Sequence, residues 1–392
     1  MSASVNDRDV VIVEAVRTAV GRRGGSLSGV HPVPLLAQVL DELMKRAGVA
    51  HDAVEDVVSG CVDQVGEQGL NVARNAMLTA GFPYTVPATT VDRQCGSGQQ
   101  AIHFAANLIQ ADVCDVTIGC GVENMSRVPM GANMANKDTG FPFPPELMEK
   151  YELTSQGISA EEIAKKWGIT REDTDRFGYE SQMKAARARE EGRFKLEILP
   201  VPVTLDGVET MFEEDEGIRP GTNVEKLATL QPAFREDGVH TAANSSQISD
   251  GAAAVLLMSA AKAKELDVKP RARIVAQAVV GSDPVLMLTG PITATPKVLK
   301  KAGLSLDDID LVEINEAFAA VILAWEKELG ADMRKVNVNG GAIALGHPLG
   351  CTGAKLMTTL LHELERTGGR YGLQTMCCGG GLGTATVIER LD

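Results

Sequence analysis

The apolar residues of this chain alternate between the spacing of strands and that of helices. Runs rich in Val and Ile predict buried strands at 9–16 and 54–62. Between them, apolar side chains recur every three or four positions, which predicts an amphipathic helix that contains Leu35, Leu36, Val39, Leu40, Leu43 and Met44. Alternating strands and helices with glycines at the joins predict an α/β fold.

The same alternation resumes after Ser249 and continues to the C-terminus. The pattern predicts strands at 274–280, 311–314, 336–338, 373–376 and 384–389, and helices at 296–302 and 317–329. Short echoes between the two regions, such as Cys95-Gly96 against Cys351-Thr352, suit a duplicated fold without establishing it.

Residues 120–247 have a different texture. Methionines lie among prolines, an acidic run occupies 213–216, and 170–173 resembles a capping box that opens a charged helix running toward Arg193. We interpret this segment as an inserted lobe. The chain is then divided into a first half at 1–119, completed by 248–272, the lobe at 120–247, and a second half at 273–392.

Composition narrows the possible partners. The chain has 392 residues and a net charge of −14, without a block of basic residues, which argues against nucleic acid or an anionic membrane surface as the main partner. An anionic ligand would need a local patch, for which Arg219, Lys226 and Arg235 are candidates. The seven cysteines lack framework spacing, and no signal peptide or membrane helix is evident, so we expect a cytoplasmic protein.

Three residues stand where glycine-rich backbone would expose them to a substrate. Cys95 precedes an apolar helical run, where unpaired N–H groups would lower the pKa of its thiol. His347 lies between Gly346 and Pro348, and Cys377 stands shortly before three glycines. A nucleophilic thiol, a base and an acid are the needs of covalent thioester chemistry.

These segments are also compatible with two other roles. A zinc site of His347, Cys351, Cys377 and Cys378 is disfavoured, because no paired Cys spacing occurs and adjacent cysteines point poorly toward one ion. Asn315 either caps the helix predicted after it or orients a water or substrate oxygen. The residues alone leave both possibilities for Asn315 open.

Together these segments resemble the thiolase family. The resemblance rests on Cys95-Gly96-Ser97-Gly98, Asn315-Glu316-Ala317-Phe318, Gly346-His347-Pro348 and Cys377-Cys378-Gly379-Gly380-Gly381, and it extends from residue 12 to the last strand. It implies two similar βαβαβαββ halves in five α-β-α-β-α layers, with the inserted lobe binding coenzyme A. It also implies a homodimer or homotetramer, and coenzyme A as a substrate with no metal or organic cofactor.

The resemblance also implies residue roles. Cys95 would accept the acyl group, His347 would take its proton, and Cys377 would protonate the departing acetyl-CoA enolate, with Cys378 as a spacer. Asn315, through a water, and His347 would hold the enolate oxygen, while the amides of Cys95 and Gly379 would hold the thioester oxyanion. Ser246 and Arg219 match positions that contact coenzyme A.

One departure bears on the substrate. Ser155-Gln156 stands where many short-chain biosynthetic thiolases carry His-Met, which weakens a preference for acetoacetyl-CoA. Gly66-Glu67-Gln68-Gly69 and Arg93-Gln94-Cys95 are similar to bacterial degradative thiolases, including those that shorten steroid side chains. The sequence therefore predicts thiolytic cleavage of a 3-ketoacyl-CoA. The alternatives are a short-chain biosynthetic thiolase, a ketoacyl synthase, or a silent acyl-CoA-binding relative.

Overall fold

The computed structural model describes residues 6–134 and 140–391. Their strands, in chain order, are β1 (Val10–Thr18), β2 (Gly21–Arg22), β3 (Asp56–Gly60), β4 (Ala88–Val91), β5 (Val116–Asn124), β6 (Ile198–Leu199), β7 (Val201–Leu205), β8 (Val208–Phe212), β9 (Ser249–Ser259), β10 (Ala272–Gly281), β11 (Leu311–Ile314), β12 (Tyr371–Cys378) and β13 (Leu382–Arg390).

The helices of the same residues are α1 (Pro32–Ala47), α2 (Val72–Thr79), α3 (Ser97–Gln110), α4 (Pro145–Lys150), α5 (Gln156–Trp167), α6 (Arg171–Glu190), α7 (Val224–Ala228), α8 (Ala260–Glu265), α9 (Gly290–Ala302), α10 (Ala319–Leu329), α11 (Ala342–Leu345) and α12 (Leu349–Thr367).

The sheet repeats one topology twice. In the first half the order is β4-β3-β5-β9-β1, and in the second it is β11-β12-β13-β10, with β1 and β10 joining the two through a short antiparallel contact. In each half the outer pairs are parallel, two in the first half and one in the second, and the next two pairs are antiparallel. The predicted duplication is therefore present in the strand order itself.

Helices cover both halves. α3 and α12 pack on each other between the two parts of the sheet, α1 and α2 cover the outside of the first half, and α9 and α10 cover the outside of the second. A central apolar cluster, which includes Ile102, Leu257 and Met357, fills the layer around α3 and α12. The predicted five-layer order follows from this packing.

The lobe between β5 and β9 carries α4–α7 and the hairpin β7-β8. The predicted capping box is confirmed: Thr170 accepts from Asp173 N and the Asp173 side chain accepts from Thr170 N. β5 runs to Asn124, so the sheet continues five residues into the segment predicted as the insertion. Asp215, from the acidic run, is fully buried and forms an ion pair with Arg17 of β1 at 2.8 Å.

Three predicted boundaries are wrong for identifiable reasons. α9 begins at Gly290 and contains Pro296, which the prediction took as its start. α10 begins at Ala319 rather than 317, because Phe318 is extended, with a φ of −148°. Residues 336–338 form one bridge and no strand, because Asn337 has a φ of 43°. The side-chain amide of Asn337, rather than its backbone, bonds to the backbone N–H and carbonyl of Ile314.

Candidate active site

Cys95 lies in a tight turn between β4 and α3. Gln94 adopts a φ of 51°, in the left-handed region that side chains seldom enter. Ser97 holds the turn, because its hydroxyl donates to Gln94 O at 2.6 Å and accepts from Arg93 N at 2.8 Å. The turn places the thiol of Cys95 at the N-terminus of α3, where it is 3% exposed.

The pKa of the Cys95 thiol differs from the prediction. Burial raises it to about 11, although N–H groups of Gly379, of Cys95 itself and of the Gln156 side chain donate to the sulfur and favour its thiolate. The buried carboxyl of Glu123 raises it slightly further. The expected lowering at a helix N-terminus is wrong here, because removing the thiolate from water outweighs the helix and its donors.

His347 stands in a turn that only glycine permits. Gly346 has a φ of 99°, and a Cβ there would lie 2.3 Å from Ser249 Oγ. The imidazole Nδ1 lies 2.6 Å from Thr352 Oγ1, whose own proton goes to Pro348 O at 2.7 Å. Thr352 must therefore accept, so the proton of the neutral ring is on Nδ1 and Nε2 keeps its lone pair.

The charge state of His347 follows from its surroundings. Burial, and then the cation of Lys355, lower the pKa of the ring to about 3. The ring is consequently neutral near pH 7 and its Nε2 is a proton acceptor. This is the state a general base requires.

Asn315 lies in the connection between β11 and α10, next to this lone pair. Its Nδ2 is 3.4 Å from His347 Nε2. Within the described residues nothing donates to its buried Oδ1. α10 takes Phe318 as its N-cap, so the capping interpretation of Asn315 is wrong and the interpretation as a polar site residue remains.

Cys377 and Cys378 end β12 and are both fully buried. Burial, followed by a negative charge on Cys95, raises the pKa of each thiol. Cys378 has further contacts: its sulfur accepts from Gly96 N and lies 2.6 Å from where a Cβ of Gly96 would be. A negative charge on Cys95 therefore raises the pKa of both thiols, while the sulfur of Cys378 is also in contact with the turn at Gly96.

Gly379 begins the turn that follows β12. The turn continues through Gly380 and Gly381, with φ values of 76° and 77°. A Cβ on Gly379 would lie 2.8 Å from Gln156 Nε2. The absence of a side chain at Gly379 thus lets its amide and the Gln156 amide reach the Cys95 sulfur together.

Two family models cover nearly all of this chain. The model described as "Thiolase, N-terminal domain" matches residues 10–261, and "Thiolase, C-terminal domain" matches residues 268–390. The chain belongs to the thiolase family. The predicted family, fold and class of enzyme, an acyltransferase, are confirmed.

Named relatives are similar in sequence to this thiolase over nearly their full lengths. "Steroid 3-ketoacyl-CoA thiolase FadA6" of Mycobacterium tuberculosis is 50% identical, covering 98% of this chain and 94% of the relative. The "3-ketoacyl-CoA thiolase" of Bacillus subtilis is 47% identical, over 97% and 99%. The crystal structure of the Bacillus anthracis acetyl-CoA acetyltransferase aligns with a TM-score of 0.90 and 44% identity, over 99% and 100%.

The coenzyme A candidates of this thiolase differ in their surroundings. Ser246 is half-buried, donates its N–H to Ala317 O, and precedes Gln247, whose carbonyl accepts from His347 N. Arg219 is exposed, with its backbone N–H bonded to Gln182 Oε1. Of the other predicted cations, Lys226 is exposed on α7, whereas Arg235 forms an ion pair with Glu162.

Three site residues were missed. Thr352 fixes the imidazole, Gln156 donates to Cys95, and buried Glu123 accepts from Val62 N, Asp63 N and Gly350 N, so that it binds the start of α12 to the strand ends. Of these three, only Gln156 had a signal in the sequence, because Ser155-Gln156 stands where many short-chain biosynthetic thiolases carry His-Met. The role of Glu123 depends on contacts between distant segments, which spacing does not reveal. Thr352 is only five residues from His347, but its role depends on the orientation of the two side chains at the start of α12.

Within the described ranges, no group of three or more His, Cys, Asp or Glu side chains is placed to hold a metal. No helix there has the length and apolar character needed to cross a bilayer.

Proposed function

We propose that this thiolase cleaves a 3-ketoacyl-CoA with coenzyme A, yielding acetyl-CoA and an acyl-CoA shortened by two carbons. The observation that carries the proposal is the neutral His347 ring, whose Nε2 lone pair is fixed by the bond from Nδ1 to Thr352. Names of relatives such as "3-ketoacyl-CoA thiolase" support this direction.

In the first half-reaction, His347 Nε2 takes the Cys95 proton and the thiolate attacks the 3-keto carbon. The amides of Cys95 and Gly379 would hold the oxyanion that forms there. Cleavage of the bond between C2 and C3 leaves an acyl-Cys95 and an acetyl-CoA enolate, which the Cys377 thiol protonates at C2. His347, now protonated at Nε2, and Asn315 through a water would donate to the enolate oxygen.

In the second half-reaction, coenzyme A replaces acetyl-CoA. The Cys377 thiolate takes the proton of the coenzyme A thiol, and the resulting thiolate attacks the acyl-Cys95 carbonyl. The acyl-CoA leaves, and the Cys95 thiolate recovers its proton from His347. The enzyme ends in its starting protonation state: Cys95 recovers its own proton through His347, and the proton of the coenzyme A thiol replaces the one that Cys377 gave to acetyl-CoA. Coenzyme A serves only as a substrate.

For the substrate, we propose a bulky degradative 3-ketoacyl-CoA. The 50% identity to a steroid 3-ketoacyl-CoA thiolase and the polar Gln156 support it. The test is the coenzyme A-dependent loss of substrate absorbance with acetoacetyl, medium-chain, long-chain and steroid-side-chain thioesters. Preference for acetoacetyl-CoA would indicate a short-chain enzyme instead, and no turnover of any thioester would indicate a silent binder.

We propose that the lobe between β5 and β9 holds coenzyme A, through Ser246 and Arg219. An exposed guanidinium suits a phosphate or an adenine ring. Arg219→Ala should raise KM for coenzyme A several-fold while kcat stays within twofold. Lys165→Ala, which removes an exposed cation of the lobe in the last turn of α5, is the matched control. An unchanged KM in Arg219→Ala contradicts this assignment.

We also propose that the chain forms a homodimer, or a tetramer built from it, through the β4 edge of the sheet. β4 pairs only with β3 in the described strand order. Leu70, 92% exposed, lies beside this edge, because its neighbour Asn71 donates to Ala88 O, and Tyr84, 81% exposed, precedes β4 by four residues. Leu70→Glu should lower the mass measured by light scattering, whereas Leu196→Glu, at another exposed leucine, should not.

A further inference from the structure

Gln156 brings a side-chain amide from the lobe to the nucleophile. It is the first residue of α5, after Ser155, whose hydroxyl accepts from Ile158 N as the N-cap. The Gln156 Nε2 atom lies beside Gly379, 2.8 Å from the position that a Cβ there would take, and the Gln156 side chain donates to the Cys95 sulfur. The half-buried amide of Gln156, which belongs to the lobe, thus lies beside the sulfur of Cys95, which belongs to the first half of the chain.

The start of α5 is held in place by its neighbours. A Cβ on Gly157 would lie 2.1 Å from the ring of Phe234, so ring and helix backbone are in close contact. That ring meets Phe318 edge to face, with centroids 5.5 Å apart. Further along α5, Glu161 accepts from the backbone amides of Val239 and His240. The Gln156 amide is therefore presented to Cys95 by a rigid helix end.

A third donor has a clear chemical use at this position. The thiolate of Cys95 is formed in a buried site, where ions are costly, and each added N–H offsets part of that cost. The other titratable groups that act on this sulfur are Glu123, Cys377 and Cys378, on which any negative charge opposes the thiolate, and His347, which takes the thiol proton in the proposed mechanism and is neutral before that step. The donors near Cys95 consequently have to come from amides.

We propose that Gln156 is a catalytic residue of this thiolase: its amide is the third hydrogen-bond donor to the Cys95 thiolate, beside the backbone N–H groups of Cys95 and Gly379. The catalytic use of this contact rests on the proposed function. The contact itself acts in the free enzyme, so it can be measured without turnover.

The experiment is the pH dependence of Cys95 alkylation by iodoacetamide in the full-length enzyme, with the labelled residue identified by peptide mass analysis. Gln156→Met keeps the side-chain volume and removes the donor. A hydrogen bond to a charged group corresponds to a rise of about 1 to 2 pH units in the alkylation midpoint. Because nucleophilicity grows as basicity does, the rate at pH 8 should fall by only about 3- to 13-fold.

Two further variants separate donation from structure. Gln156→Glu keeps the shape and adds a negative charge, so its alkylation midpoint should rise at least as far as that of Gln156→Met. Lys165→Met changes an exposed side chain in the last turn of α5 and leaves both the helix start and the donor, so its midpoint should match the wild type. Unchanged midpoints in both Gln156 variants overturn the proposal, as does an equal rise in Lys165→Met.

The same series distinguishes this proposal from the proposed function. If no 3-ketoacyl-CoA is cleaved but Gln156→Met raises the midpoint, the donor role stands and thiolysis is wrong. If the wild type cleaves substrate and Gln156→Met keeps both its midpoint and its kcat, thiolysis stands and the donor role is wrong. Gln156→Glu serves the same comparison if Gln156→Met does not fold.

Discussion

The bond between His347 and Thr352 gives a prediction whose magnitude can be worked out. Thr352 Oγ1 is 2.6 Å from Nδ1 and donates its own proton to Pro348 O, so it can only accept from the ring. In Thr352→Val, a similar volume is kept and this acceptor is lost. The Nδ1–H tautomer then leaves a buried N–H without a partner, at a cost of about 1–3 kcal/mol.

The ring can avoid this cost by placing its proton on Nε2, which abolishes the base. The fraction of enzyme with a free Nε2 lone pair should therefore fall, and kcat should fall by about 5- to 150-fold at 1.36 kcal/mol for each factor of ten. KM for coenzyme A should stay within about twofold, because the tautomer affects proton transfer more than binding.

The assay is initial-rate thiolysis, with Thr352→Ser as the variant that keeps the hydroxyl. Thr358→Val is the matched control, since Thr358 is buried on the same helix and bonds only to Ala354 O through its hydroxyl. Wild-type kcat in Thr352→Val, with Tm and KM also unchanged, would refute the tautomer argument. An equal loss in Thr358→Val would attribute the effect to α12 rather than to the imidazole.

Three further predictions follow from the same geometry. Cys377→Ala should abolish thiolysis and leave acylation of Cys95 detectable by mass, while Cys378→Ala should keep most of the activity; the reverse result would exchange the two roles. Gly346→Ala should lower the free energy of unfolding, measured with denaturant, by about 1–3 kcal/mol, because the new Cβ would lie 2.3 Å from Ser249 Oγ on a backbone with a φ of 99°. A Tm within 1 °C of the wild type would contradict this. Burial lowers the pKa of His103 to about 3, so as pH falls from 6.5 the unfolded chain gains a proton that the folded chain does not. The free energy of unfolding should therefore decline, and His103→Gln should reduce that decline by up to about 1.4 kcal/mol per pH unit. Equal slopes of this free energy against pH in the two proteins would contradict the assignment.

Much of the fold follows from local pattern. Apolar spacing located α1, and Val and Ile runs located β1 and the start of the second half within a few residues. The capping box at Thr170 identified the start of α6 from four residues. Such signals are readable because burial, side-chain spacing and capping act within one or two turns of the chain.

The site was only partly predictable. The glycine-rich turns indicated Cys95, His347 and Cys377, since close backbone approach leaves a local trace. Asn315 could not be resolved between a cap and a site residue until the extended backbone of Phe318 moved the helix start. The apolar pattern predicts a strand at Asn337, yet its backbone is left-handed and its side-chain amide accepts a hydrogen bond from Ile314 N.

The sequence by itself determined the alternation of elements, the thiols and imidazole in their turns, and the family to which they belong. Only the tertiary structure decided the charge and partners of those groups: the high pKa of the Cys95 thiol, the tautomer of His347, and the approach of Gln156 from the lobe. The physical reason is that desolvation and hydrogen bonding act through space. Around Cys95 they depend on residues as distant in sequence as Gln156 and Gly379, whose meeting no local pattern encodes. Even the bond between His347 and Thr352, which are close in sequence, depends on how both side chains are oriented in the folded site.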